Sequence, residues 1–87
     1  MEKVELKTLK EMISAGSQFQ RVEINTTLIN NSEKYYVSFY TKGGAEYQVC
    51  TQIRNDRSGD VKQYSRIDIA VKQIKQTGFK GAVVIIV

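Results

Sequence analysis

Apolar residues recur at helical spacing in two stretches of this chain and alternate with polar residues between them. The clearest helix is predicted after Tyr64. Ile67, Ala70, Val71 and Ile74 stand at i, i+3, i+4 and i+7, on one helical face. Ser65 and Asp68 have the spacing of a capping box, and Tyr64 and Ile69 fall at the two positions of a hydrophobic staple. Gly78 suits the left-handed residue that follows a helix, with Phe79 placed to pack back on Ile74. Lys72 and Lys75 fall on or near the outer side. A first helix is predicted over Val4 to Ala15, from Leu6, Leu9 and Ile13 with Met12 beside them, and Gly16 ends it.

Strand patterns fill the rest. Arg21 to Leu28 alternates, with Val22, Ile24 and Leu28 on one face and Arg21, Glu23 and Asn25 on the other. Phe19 has the wrong parity for this strand and is expected under the exit of the first helix. A polar turn over Asn30 to Lys34 leads to strands at Tyr35 to Tyr40 and Ala45 to Gln52. The three-residue loop Lys42-Gly43-Gly44 pairs Phe39 with Tyr47, Val37 with Val49 and Tyr35 with Thr51, which keeps apolar residues together. The opposite face then carries Tyr36, Ser38, Tyr40, Glu46, Gln48 and Cys50. Gln52 to Asp60 reads as a long loop, and Val61 to Tyr64 as a short return strand.

Ala82 to Val87 is Ala-Val-Val-Ile-Ile-Val, too short for a stable helix and rich in β-branched residues. A strand without alternation is normally buried on both faces. Two readings follow: an inner strand shielded by neighbouring side chains, or a strand that meets a partner. The expected fold class is α+β: an antiparallel β-meander with two helices packed on one face, in the order α-β-β-β-β-α-β, as a single domain over 1–87.

Composition narrows the chemistry. The chain has no histidine and one cysteine, Cys50, which excludes Cys/His zinc sites, His-based triads and an intrachain disulfide. No phosphate-binding glycine loop is present, since Gly43-Gly44 belongs to a hairpin. No catalytic residue, metal or cofactor is expected, and the protein reads as a non-enzyme. The opening Met-Glu-Lys-Val-Glu shows no apolar signal stretch, and the C-terminal apolar run is about a third of a membrane span, so a cytoplasmic setting with no membrane partner is expected.

Charge is placed unevenly. Residues 1–33 carry four Lys or Arg against five Glu, a net −1, and residues 34–87 carry nine against four acids, a net +5. Arg54, Arg57, Lys62 and Arg66 gather within thirteen residues and are the candidate phosphate contacts, with Lys42 as a further one. The alternative is a solvated loop partly neutralised by Asp56 and Asp60. Tyr36 and Tyr40 on the polar sheet face suit base stacking, half of an interface, or simple cross-strand cover of the sheet.

Two resemblances bear on this pattern. The order helix, three strands, helix is similar to that of double-stranded-RNA-binding domains, but the second helix opens Arg-Ile-Asp-Ile-Ala without that family's basic cluster, and another strand follows. Across most of its length the chain resembles the small ParC-family partition-associated proteins encoded near plasmid partition genes. The likeness lies in Val4-Glu5-Leu6-Lys7-Thr8-Leu9 running to Ala15-Gly16, an aromatic strand, the basic segment to Tyr64, Ile67-Asp68-Ile69-Ala70, and Gly78-Phe79 before an apolar strand. The 29–34 loop is longer and the C-terminus more apolar than in that family's pattern. This resemblance implies an accessory role in plasmid or mobile-element maintenance, with a partition or mobile-element protein among the partners, and supplies no catalytic residue. Two functions are therefore expected in competition: association with DNA through the basic loop, or a homodimeric or protein-binding adaptor using the tyrosine face or the last strand.

Overall fold

The computed structural model describes residues 2–51 and 60–86. Its elements are β1 (Glu2–Glu5), α1 (Leu6–Ser14), β2 (Phe19–Ile29), β3 (Ser32–Thr41), β4 (Glu46–Cys50), α2 (Ile67–Gln76) and β5 (Ala82–Ile86). The five strands form one sheet in the order β1-β4-β3-β2-β5. The fold class is α+β, with both helices on one face as the patterns imply. The central β2-β3-β4 meander is antiparallel, while each outer strand runs parallel to its neighbour, so the sheet is mixed.

The core follows the alternation. Val22 and Ile24 of β2 lie beside Phe39 and Val37 of β3, and all four are fully buried under Leu9 of α1 and Ala70 and Ile74 of α2. Phe79 and Phe19 meet Phe39 edge-on, at centroid distances of 5.9 and 5.3 Å. Phe19 reaches this side because the β2–β3 register shifts between Phe19 and Arg21. The extra residue reverses the parity that the alternation alone assigns to Phe19.

Both helices end as their glycines predict. Gly16 (φ +101°) completes a Schellman motif, with the Ser17 amide donating to Met12 and the Gly16 amide to Ile13. Gly78 (φ +94°) donates to Lys75. The starts differ from expectation. Neither helix has a side-chain cap, and the capping box at Ser65 and Asp68 does not form. Lys34 Nζ donates to Ser65 Oγ at 2.9 Å, and the Arg66 guanidinium occupies both Asp68 oxygens, so the two capping side chains are engaged elsewhere. Tyr64 is buried and Ile69 exposed, which rules out the staple.

The Lys42-Gly43-Gly44 loop and the Phe39–Tyr47 pair are found as expected. The β3–β4 pairing ends at Ser38–Gln48, however, and Tyr35 does not reach Thr51. The segment after Asp60 takes over where the strands part: Val61 bridges Cys50, and Tyr64 exchanges two backbone hydrogen bonds with Tyr35. The expected loop over Gln52 to Asp60 lies outside the described residues up to Gly59. Of the two readings of Ala82 to Val87, the inner strand is not found: among the described residues β5 stands at the edge of the sheet, and Val84, Ile85 and Ile86 are 39%, 45% and 41% exposed.

Candidate functional site

Three surfaces carry the candidate residues, and the topology sets each. The first is the sheet face away from the helices. The register places Arg21 and Glu23 of β2, Tyr36, Ser38 and Tyr40 of β3, Glu46 and Cys50 of β4, and Lys3 and Glu5 of β1 on it. The Arg21 guanidinium lies 4.2 Å above the Tyr40 ring, and its Nε donates to Glu23 Oε2 at 2.7 Å. Ser38, fully buried between these side chains, donates to Glu46 Oε2 at 2.9 Å. Burial pushes the Tyr40 phenol up, and the nearby charges of Glu46 and Glu23 push it the same way.

Arg21 covers one face of the Tyr40 ring, an arrangement that fits cross-strand cover of the sheet. Glu5, Glu23 and Glu46 are matched on this face by Lys3, Arg21 and Lys34, so its charge is balanced. Tyr36 is half-buried beside Asn25. Arg21 was absent from the sequence-derived candidates. Its signal is the β2–β3 register, which sets it opposite Tyr40 and which no local pattern reveals.

The second surface is the end of the sheet where the 60–66 segment crosses β3. Lys62 and Arg66 lie here, and tertiary pairing adds Lys34 through Ser65. Lys62 Nζ sits 5.4 Å from the Tyr64 ring centroid. Arg66 is exposed and forked onto Asp68, at 3.0 and 2.8 Å. Such an exposed pair contributes only ~0–1 kcal/mol, so a phosphate competes for Arg66 at small cost. Lys42 is not part of this cluster. It sits in the turn after Thr41, and Thr41 is itself six residues along β3 from Tyr35, about 20 Å at strand spacing. Arg54 and Arg57 lie outside the described residues.

The third surface is the β5 edge. One side of β5 pairs with β2, and the other carries no strand among the described residues. No charged residue interrupts Ala82–Ile86. The opposite edge, β1, has Glu2, Lys3 and Glu5. Charged side chains are a usual guard against edge pairing, so β1 is guarded and β5 is open.

Chemistry elsewhere is sparse. Among the described residues no group of three His, Cys, Asp or Glu is positioned to hold a metal, and no helix is long and apolar enough to cross a membrane. Burial pushes the Cys50 thiol up, with the charge of Glu5 acting in the same direction, so it stays protonated and unreactive near neutral pH.

These surfaces define a small α+β module with a helix-covered face, a mixed-charge open face and one unguarded edge. The chain matches no protein-family model, no curated protein and no solved structure.

Proposed function

We propose that this protein is a non-catalytic accessory module that works by strand addition: its β5 edge receives an extended strand of a protein partner. The observation that carries this reading is the exposed, uncharged edge of Ala82–Ile86 on a sheet whose other edge is guarded by charge. Backbone groups supply the hydrogen bonds, and the branched side chains of Val83, Val84, Ile85 and Ile86 supply the apolar contact. The resemblance to partition-associated proteins supports an accessory role in plasmid or mobile-element maintenance, in the cytoplasm.

The reading is tested with a lysine-flanked Ala-Val-Val-Ile-Ile peptide, added to dilute protein while amide exchange is followed residue by residue. Exchange at Val83 and Ile85 is expected to slow saturably, and exchange in β1 to stay unchanged. An unaffected β5 would remove the peptide-receiving edge.

Association with DNA is a second reading, favoured by one observation: the Lys34–Ser65 hydrogen bond brings Lys34 to the segment that carries Lys62 and Arg66. Each phosphate contact contributes about 0.9 to the slope of log K against log salt. Replacing Lys34, Lys62 and Arg66 with Ala together is expected to lower that slope by roughly 3, measured by fluorescence anisotropy on labelled duplex DNA. An unchanged slope would place DNA contact elsewhere or nowhere.

A further inference from the structure

We infer that the strand received at the β5 edge is β5 of a second copy of this chain, paired antiparallel about a two-fold axis through Val84. This rests on the reading of β5 as the working edge and names its occupant.

The backbone sets which residues can pair. Thr26 Oγ1 donates to the Ile86 carbonyl at 3.0 Å, so the polar groups of Ile86 turn toward β2. Along a strand beside a parallel neighbour these groups alternate sides residue by residue. Ala82 and Val84 therefore also face β2, while Val83 and Ile85 present N–H and C=O outward. In an antiparallel pair, outward-facing residues set opposite each other exchange two hydrogen bonds. Centring the pair on Val84 sets Val83 against Ile85 of the second copy, twice over, which uses all four outward-facing residues.

The side chains agree with the same register. Val83 and Ile85 lie on the helix face, beside Val22 and Ile24, so they meet on one face. Ala82, Val84 and Ile86 lie on the open face, where Val84 meets Val84 and the small Ala82 meets the large Ile86. Each facing pair is apolar, and no like charges oppose. A centre between two residues would set helix-face against open-face side chains, a mismatch of pleat. Centring on Val83 would set Lys80 against Ile86, and centring on Ile85 would leave Ala82 unpaired within β5. Only Val84 uses the whole strand.

Closure favours the second copy over a chain of copies. Pairing β5 with β1 of another copy would be head-to-tail and open-ended, and would lay Val and Ile beside Glu2, Lys3 and Glu5. The two-fold pair instead consumes both open edges and leaves a ten-stranded sheet ending in charged β1 at each side, with all four helices on one face. A five-residue edge pair is smaller than the ~1,600 Å² of a standard interface, so the dimer is expected to dissociate in the micromolar range.

The test is disulfide trapping in a Cys50→Ser background, read with sedimentation. Val84 meets itself in a non-hydrogen-bonded pair, with about 4.5 Å between Cα atoms, which suits a disulfide. Val84→Cys is expected to trap a dimer under mild oxidation. Ile85→Cys alone is expected to stay unlinked, and to link when mixed with Val83→Cys. Sedimentation of the unsubstituted protein is expected to show a concentration-dependent dimer, weakened at least tenfold by Val84→Lys. Val84 is exposed, so this variant should keep the wild-type circular dichroism. A monomer at every concentration overturns the self-pairing, as does a dimer that tolerates Val84→Lys and leaves Val84→Cys unlinked. A monomer whose β5 still accepts the lysine-flanked peptide overturns the dimer alone. A protein that neither dimerises nor accepts the peptide overturns the strand-addition reading as well.

Discussion

Phe39→Ala is expected to remove about 3–5 kcal/mol of folding stability, the range for deleting a buried aromatic side chain. Phe39 is fully buried, and its ring is held edge-on by Phe19 and Phe79. Those two rings come from distant parts of the chain, so the cavity left by Ala sits where the start of β2 and the exit of α2 join. The neighbours belong to a packed sheet and cannot collapse far, which puts the cost toward the upper part of that range. A domain of 87 residues has on the order of 4–13 kcal/mol in total, so the variant is expected to be largely unfolded at modest urea concentration. Urea titration followed by circular dichroism measures this directly. Phe39→Leu keeps most of the volume and is expected to retain a cooperative transition. A loss below about 1 kcal/mol for Phe39→Ala would contradict the central place given to this ring.

Alkaline instability is expected to trace to Tyr64. Its side chain is buried, its hydroxyl donates to Gln73 Oε1 at 2.6 Å, and burial pushes its pKa from about 10 up to about 12. The folded state thus holds the phenolic proton more tightly than the unfolded chain. Below pH 10 both states keep the proton and stability does not change with pH through this group. Between pH 10 and 12 the unfolded chain loses it first, and stability falls as pH rises. A shift of about two units corresponds to about 2–3 kcal/mol lost over that window. Tyr64→Phe removes the titration, so its stability is expected to stay flatter than wild type from pH 10 to 12, after an initial cost of about 1 kcal/mol for the hydrogen bond. Parallel slopes in the two proteins would show that another group governs the alkaline limit.

The β5 strand shows how far local pattern reaches. Its six apolar residues announce a strand, and the absence of alternation announces that two faces avoid water or meet something. Inner strand and partner-meeting edge give the same sequence signal, because burial by the chain's own neighbours and burial by another chain demand the same side chains. The parallel pairing of β5 with β2 beyond the meander puts it at the edge of the described sheet, which no local pattern specifies. The capping box failed for a related reason. Ser65 and Asp68 have the right spacing, but Lys34, thirty-one residues away, and the neighbouring Arg66 offer charged donors to the same oxygens. The helix also opens one residue late, with Arg66 at the N-cap, so Ser65 and Asp68 stand out of register for the box. Val4 and Glu5 of β1 fell inside the helix expected over Val4 to Ala15, because Glu2-Lys3-Val4-Glu5 has a single apolar residue and no strand alternation to set it apart, and only its pairing with β4 makes it a strand.

The candidate site divides in the same way. Lys62 and Arg66 were legible as a local cluster of charge, while Lys34 joins them only through the Tyr35–Tyr64 bridge. Tyr40 was legible as a tyrosine on a polar face. That Arg21 covers it, and that three carboxylates share the face, followed from the β2–β3 and β3–β4 registers.

By itself the sequence determined the two helices and their glycine stops, the three meander strands, the Phe39–Tyr47 register and the α+β class. These rest on interactions within a few residues or across one tight turn, where periodicity and backbone preference act without competition. Tertiary structure decided the parallel outer strands, the loss of the capping box at α2, the covered Tyr40 and the β5 edge. Each depends on which distant segment arrives beside it, and a local pattern specifies the surface a residue needs without specifying what supplies it.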